Sequence, residues 1–185
     1  TDTVSRIGAD LTLDTRVDPA FPRNAIHATV GRDRLTFAGG SAIQGTADLR
    51  GYVGLFRQAV LALRAVNLTS KAPLPPYEQV LLGGAANLRG YDAGYKAGDN
   101  LAAVSAEVRV PITSPLSVGR LGLKMFVDAG TTYAAGERLR DQHLDDRGIG
   151  AGVYMHLTVL SVSLDVARSR AGDTRYHFGL GVTFR

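Results

Sequence analysis

The sequence contains no cysteine and no tryptophan among its 185 residues. Without cysteine, a disulfide framework, a cysteine-ligated zinc site and a cysteine nucleophile are excluded. Long apolar runs are also missing, and a run such as residues 59–63 falls far short of the roughly 18 apolar residues that a membrane-spanning helix needs. Spanning β-strands remain open, because alternating apolar and polar residues average to a neutral value, and the mean hydropathy is +0.01.

Charge and polar residues point to no catalytic, metal or nucleic-acid site. The net charge is +4, but the basic residues are scattered singly, so we expect no nucleic-acid partner. The serines lack a nucleophile-elbow pattern, and the acidic residues of segment 141–146 lack a calcium-loop template. We therefore expect no enzyme activity, no cofactor and no metal. The histidines show no metal-ligand spacing: they are His27, His143, His156 and His177.

A period of two dominates the chain and predicts β-strands. In residues 120–128, Leu121, Leu123, Met125 and Val127 share one face, and the polar residues share the other. Comparable alternation predicts about ten strands, each near the roughly 9–11 residues that cross a bilayer when tilted. The other alternating segments are residues 7–13, 26–30, 43–53, 58–66, 104–110, 149–155, 160–167 and 176–184, with a further strand leading into Leu81 and Leu82.

Turn signals separate the predicted strands and leave two architectures open. They lie at residues 18–19, 39–40, 73–76 and 111–115. A soluble sandwich would bury the apolar faces, whereas a membrane barrel turns them toward lipid. The polar faces carry charge together with glycine, and the apolar faces have few large aromatic residues, which favours the barrel. The absence of tryptophan counts against it, because aromatic girdles usually mark both membrane interfaces.

Several motifs resemble one family of barrels. They are the Gly-rich segment 81–91, which contains Leu-Arg-Gly-Tyr, the Phe-Val-Asp-Ala-Gly segment 126–130, residues 107–111 and residues 178–184. Residues 14–22 and 75–78 resemble family signatures as well. Their order and spacing resemble the C-terminal barrel of the BamA, TamA and FhaC superfamily of outer-membrane assembly and translocation proteins, also called the bacterial surface antigen family. The resemblance implies an all-β, transmembrane, antiparallel up-and-down barrel with an extracellular loop folded inward.

The resemblance also implies where the site residues lie. Arg89 should sit at the tip of the inward loop and pair with Asp128 on the barrel wall, with Glu107 joining from the neighbouring strand. The glycines of segment 148–152 should face inward and leave room for the loop. The loop motif is Gly83, Gly84, Leu88, Arg89, Gly90 and Tyr91, the wall motif adds Phe126 and Gly130, and Phe184 is the C-terminal signal.

Three functions remain open at this stage. The barrel could help to insert or translocate proteins, anchor or secrete a passenger such as a patatin-like lipase, or form a small pore. Expected partners are outer-membrane lipid and lipopolysaccharide, unfolded clients or a fused passenger, and further copies of the chain. We expect residues 1–185 to form one barrel domain without a POTRA domain. The domain is either a short relative or the C-terminal part of a sixteen-stranded barrel, closed within the chain or by pairing between chains.

The resemblance predicts an orientation in the bacterial outer membrane. The C-terminus should be periplasmic, together with turns at residues 111–117 and 155–157. The loops after Tyr91 and at residues 138–146 should be extracellular. The side chains expected to face lipid are Leu121, Leu123, Val162, Leu164, Phe178 and Val182.

Overall fold

The chain forms antiparallel β-strands in the computed structural model, which describes residues 3–113, 119–157 and 160–182. A short 3-10 turn lies at Leu139–Asp141. Within those ranges, no helix is long and apolar enough to span a membrane. The strands are β1 Ser5–Asp14, β2 Ala25–Phe37, β3 Gly40–Gly54, β4 Val60–Ser70, β5 Val80–Leu82, β6 Lys96–Gly98, β7 Asn100–Thr113, β8 Arg120–Tyr133, β9 Asp146–His156, β10 Leu160–Ser169 and β11 Thr174–Val182.

Nine of these strands form one up-and-down sheet in the order β1-β2-β3-β4-β7-β8-β9-β10-β11. Every neighbouring pair in it is antiparallel, which confirms the predicted topology. The sheet is open: among the described residues, β1 pairs only with β2, and β11 pairs only with β10. Of the two alternatives that the sequence left open, closure within the chain is not found among the described residues.

The two faces of the sheet follow the predicted alternation. Leu123 and Phe178 are 49% and 65% exposed, whereas Lys124, Phe126 and Asp128 are buried. We call the face that carries these three buried residues the lumenal face, and the other the outer face. The outer face is apolar although it is exposed, which is the pattern of a lipid-facing barrel wall rather than a sandwich core. Of the side chains expected to face lipid, Leu121 and Leu164 are also exposed, Val162 is half-buried, and that of Val182 lies outside the described residues.

Three local expectations were wrong, and one of them is the turn at residues 155–157, because β9 continues to His156. The strand expected to lead into Leu81 and Leu82 is the three-residue β5, which pairs with β6 in a separate hairpin, so the main sheet has nine strands rather than about ten. The turn expected from residue 111 begins later, because β7 continues to Thr113. Pro111 faces Gly122, and the register shifts between Pro111 and Thr113. Such an irregularity accommodates a proline, which has no N–H for the ladder.

Long connections gather at one end of the sheet. Residues 71–99, between β4 and β7, and residues 134–145, between β8 and β9, both leave from this end, which we call the loop end. The opposite end, the turn end, holds the connection between β3 and β4. There, residues 15–24 turn inward, and Phe21 is buried in an aromatic and aliphatic cluster. Its ring stacks on that of Tyr154 with centroids 6.1 Å apart.

Candidate functional site

The loop of residues 83–92, which we call the plug loop, extends from the β5-β6 hairpin into the lumen. Leu82 and Leu88 are completely buried in an apolar cluster with Leu101 of β7. Gly83 has a φ of +117°, and a Cβ there would lie 2.1 Å from the carbonyl oxygen of Asp92. Only glycine, which has no Cβ, can adopt this left-handed backbone so close to another carbonyl. The loop is therefore an ordered element packed against the sheet.

Arg89 at the tip of the plug loop binds Asp128 of β8 through three hydrogen bonds. The Arg89 Nε donates to Oδ2 over 2.7 Å, and Nη2 donates to Oδ1 over 2.9 Å. The backbone N–H of Arg89 also donates to Oδ2, over 3.0 Å. This fork-to-fork arrangement uses the planar guanidinium in the geometry that a carboxylate accepts best. The structure thus brings together the loop and wall residues that the family resemblance paired.

Side chains of β7, β8 and β10 complete the environment of the guanidinium. Arg89 Nη1 donates to Glu107 Oε2 over 2.6 Å and lies 3.5 Å from Asp165 Oδ2. Nη2 donates to Ser105 Oγ over 3.2 Å. The ring of Phe126 covers one face of the guanidinium at 3.3 Å, an arrangement that adds a cation–π attraction. Arg89 is therefore held by hydrogen bonds in its plane and by a ring on its face.

The buried charges around Arg89 balance one another. The carboxylates of Glu107, Asp128 and Asp165 face the cations of Arg89, Lys124 and Arg109. Burial lowers the pKa of Arg89, but the hydrogen bond to Asp128 and the nearby carboxylates raise it more, so its pKa lies above the ordinary value. The network therefore keeps Arg89 charged in a site where an isolated ion would be costly.

Alternate residues of the Phe-Val-Asp-Ala-Gly motif in β8 contact the plug loop and its hairpin. Phe126, Asp128 and Gly130 all face the lumen, because alternate strand residues share a face. Phe126 contacts the guanidinium face and Asp128 binds its edge. At Gly130 a Cβ would lie 2.8 Å from the side chain of Leu82. Each motif residue thus fits a different part of the hairpin and its plug loop.

The glycines of β9 face the lumen as expected, but only Gly148 leaves room for the plug loop. A Cβ at Gly148 would lie 1.9 Å from the carbonyl oxygen of Arg89, so the plug loop occupies the place of a side chain. A Cβ at Gly150 would lie 2.3 Å from the carbonyl oxygen of Val166 and 2.5 Å from the ring of Phe126, and one at Gly152 would lie 2.0 Å from the carboxylate of Asp165. This series of glycines is a packing surface on the lumenal wall.

Further contacts fix the plug loop at its sides. The backbone N–H of Gly90 donates to His177 Nε2 over 2.9 Å, and the Tyr91 hydroxyl donates to the carbonyl of Arg147 over 3.2 Å. Arg64 Nη1 donates to the carbonyl of Ala86 over 2.7 Å. Arg175 of β11 binds Asp92, and this exposed pair holds the pKa of the Asp92 carboxyl below its usual range. Three strands, β4, β9 and β11, thereby hold the loop in addition to those that bind Arg89.

Sequence reasoning did not assign Lys124, Ser105, Asp165 or His177 to the site. Their position on polar faces was visible, but the strand pairing that brings them to Arg89 was not. A cavity of about 290 Å³ lies beside them, lined by charged side chains of five strands and by the plug loop. No group of three or more histidine or acidic side chains in the described ranges is arranged to hold a metal ion. Phe184 lies outside the described residues.

The comparisons with known proteins agree with this architecture. The model of the Omp85 superfamily domain matches residues 1–184. No curated protein matches the chain. Among solved structures, BamA from Haemophilus ducreyi lacking POTRA domains 1–3 superposes with a TM-score of 0.74 at 15% identity. The match covers 96% of this chain and 42% of that one, so the chain spans less than half the length of that relative. With a family match over nearly its whole length, this chain belongs to the Omp85 superfamily.

Proposed function

We propose that this chain forms a wall of an outer-membrane barrel that helps to insert or translocate other proteins. Membership of the Omp85 superfamily supports a place among outer-membrane assembly and translocation proteins. The observation that carries the finer proposal is the clamp between Arg89 and Asp128. The clamp holds the plug loop in one defined place in the lumen, where the loop controls access to the inside of the barrel.

The open edges of the sheet need hydrogen-bond partners in a membrane. In hydrocarbon, each unpaired backbone group of β1 and β11 would cost several kcal/mol. These edges therefore require further strands, from a longer protein or from a second copy of the chain. A secretion or anchor barrel with a passenger would share the same wall. The two roles differ in whether the barrel accelerates the folding of unrelated clients.

The proposed orientation sets the loop end outside the cell and the C-terminus in the periplasm. Outer-membrane barrels combine longer extracellular loops with short periplasmic turns, and the connections of residues 71–99 and 134–145 both leave from the loop end. A cysteine placed at Gln142 should therefore react with an impermeant reagent on intact cells. Protection of Gln142 together with labelling at Thr113 would reverse the orientation.

A client-insertion assay tests the proposed activity. The chain is reconstituted in liposomes of bacterial phospholipid, and the folding rate of a urea-denatured outer-membrane barrel is compared with that in empty liposomes. We expect faster folding with the natural chain and a smaller acceleration with Arg89→Ala. The matched control is Arg140→Ala, which removes an arginine that is 70% exposed in the loop of residues 134–145. No acceleration by the natural chain would reject the assembly role and favour the anchor or secretion role.

A further inference from the structure

Charge on the outer face of the sheet is confined to arginine and to one end. Within the described strands, the charged side chains that alternate in phase with the apolar outer-face residues are Arg32, Arg34, Arg147 and Arg168. All four are exposed, and all lie toward the loop end. No acidic side chain shares this face in those strands. The outer face therefore presents an apolar band bordered by cations at the loop end.

Three arginines concentrate at the loop-end edge of β9 and β10. Ser169 faces Gly148, so Arg170 stands opposite Arg147, and its N–H donates to the Arg147 carbonyl over 2.8 Å. Arg168 lies two residues before Arg170 on the same face. Like charges directly opposite on neighbouring strands are destabilising. We call Arg147, Arg168 and Arg170 the arginine cluster. The stability of the sheet does not explain why these three like charges lie together.

Few anions of the chain neutralise the arginine cluster. Arg170 Nη1 lies 3.8 Å from Asp145 Oδ1, but these side chains are 65% and 71% exposed, so the pair contributes little. Arg147 donates only to a backbone carbonyl, that of Leu144. Among the residues that the structure describes, the side chain of Arg168 has no hydrogen-bond or ion-pair partner. The cluster thus offers unpaired guanidinium donors at the border of the apolar band.

An apolar groove adjoins the arginine cluster on the same side of the sheet. Its volume is about 1040 Å³, and the three arginines form one end of its lining. The remainder is mostly aliphatic, and strands from β2 to β10 contribute to it. Its larger apolar side chains are Ile26, Leu49, Leu63, Val104, Val127 and Ile149. A ligand that fills the groove and reaches the cluster must be an amphiphile with anionic groups next to apolar chains.

We propose that the arginine cluster binds the phosphate groups of lipid A, the acylated and phosphorylated sugar of lipopolysaccharide, with acyl chains in the groove. This proposal rests on the proposed orientation, in which the loop end meets the outer leaflet. Guanidinium groups bind phosphate oxygens in pairs, and basic residues at the edge of an apolar span recognise anionic lipid headgroups. A small soluble anion would neutralise the arginines but would leave the aliphatic lining of the groove uncovered.

Lipid binding by the full chain in nonionic detergent tests the site. Native mass spectrometry measures the fraction of chain that carries diphosphoryl lipid A over a titration. The variant that combines Arg147→Gln, Arg168→Gln and Arg170→Gln should bind roughly tenfold to a hundredfold more weakly, since each basic residue near a lipid surface contributes about 1 kcal/mol. Arg140→Gln removes one arginine from the neighbouring loop and should bind like the natural chain.

A lipid series on the natural chain keeps the test independent of how well the variants fold. Affinity should fall from diphosphoryl to monophosphoryl lipid A and again after removal of both phosphates. Equal affinity for the three lipids, or equal affinity of the triple variant and Arg140→Gln, would overturn the site. The assay reads neither client folding nor orientation, so that result would leave the proposed function standing. Absence of client acceleration with phosphate-dependent lipid binding would reject the assembly role and support the site.

Discussion

Replacing Arg89 by alanine should destabilise the sheet and release the plug loop. The change removes the guanidinium, which donates two hydrogen bonds to Asp128, one to Glu107 and one to Ser105. The backbone N–H can still donate, but the two side-chain bonds to Asp128 are lost. Removing one member of a buried ion pair typically costs about 3–5 kcal/mol. Lys124 and Arg109 still neutralise part of the remaining charge, so we expect about 2–4 kcal/mol in the free energy of unfolding.

A double-mutant cycle isolates the contact between Arg89 and Asp128. The free energy of unfolding is measured by urea titration in detergent micelles, with far-ultraviolet circular dichroism as the signal. Asp128→Ala should cost about as much as Arg89→Ala, and the double variant little more than either, because both single changes break one interaction. Arg89→Lys keeps the charge but loses the fork and the ring contact with Phe126, so most of the loss should remain.

Additive single-variant effects would refute this reasoning. They would mean that Arg89 and Asp128 stabilise the sheet through separate partners, despite the distances between them. A fully stable Arg89→Lys variant would contradict the role assigned to the bidentate geometry. The exposed pair of Arg175 and Asp92 supplies the control. Arg175→Ala should leave the unfolding midpoint nearly unchanged, because exposed ion pairs contribute little.

Three further predictions follow from the same packing. Gly148→Ala should cost about 1–3 kcal/mol in urea titration, because its Cβ would meet the Arg89 carbonyl oxygen, whereas Gly51→Ala has open space and should cost less; equal costs would contradict the seated loop. Leu123→Arg should cost about 2–4 kcal/mol in a bilayer, and Ser163→Arg beside the lumenal cavity clearly less; the reverse order would contradict the faces. The lowered pKa of Asp92 means that its pair with Arg175 is complete above pH 3.8 and is lost as the pH falls through the lowered value. Hydrogen-exchange protection of residues 90–95 should therefore decrease on strong acidification, and unchanged protection would exclude this tether.

The period of two made the strands and their faces predictable. Alternation alone predicted that Leu123 and Lys124 lie on opposite faces, because successive side chains of a strand point to opposite sides. The prediction of a spanning strand at Leu81 was wrong because a short apolar run occurs both in spanning strands and in buried hairpins. Pro111 suggested a turn because proline usually ends ladder pairing, but a register irregularity accommodates it within β7.

The centre of the site was predictable only through the order of motifs. Arg89 and Asp128 are 39 residues apart, and no local rule joins a loop tip to a strand so far along the chain. The roles of Asp165 and His177 could not be predicted from the sequence, because their contacts depend on how β10 and β11 curve around the plug loop. Strand register and sheet curvature are collective properties, and they arise from packing that no single segment encodes.

The side-chain gaps of β9 also set how freely its neighbours can vary during evolution. A Cβ at Gly150 would lie 2.3 Å from the carbonyl oxygen of Val166, and one at Gly152 would lie 2.5 Å from that of Leu164. A smaller residue in place of Phe126 or Asp165 would leave these carbonyls where they are, so it would not make room for a larger residue at either glycine. Gly148 also meets backbone, the carbonyl oxygen of Arg89. No substitution removes a carbonyl, so all three glycines should stay invariant among relatives while the side chains around them change.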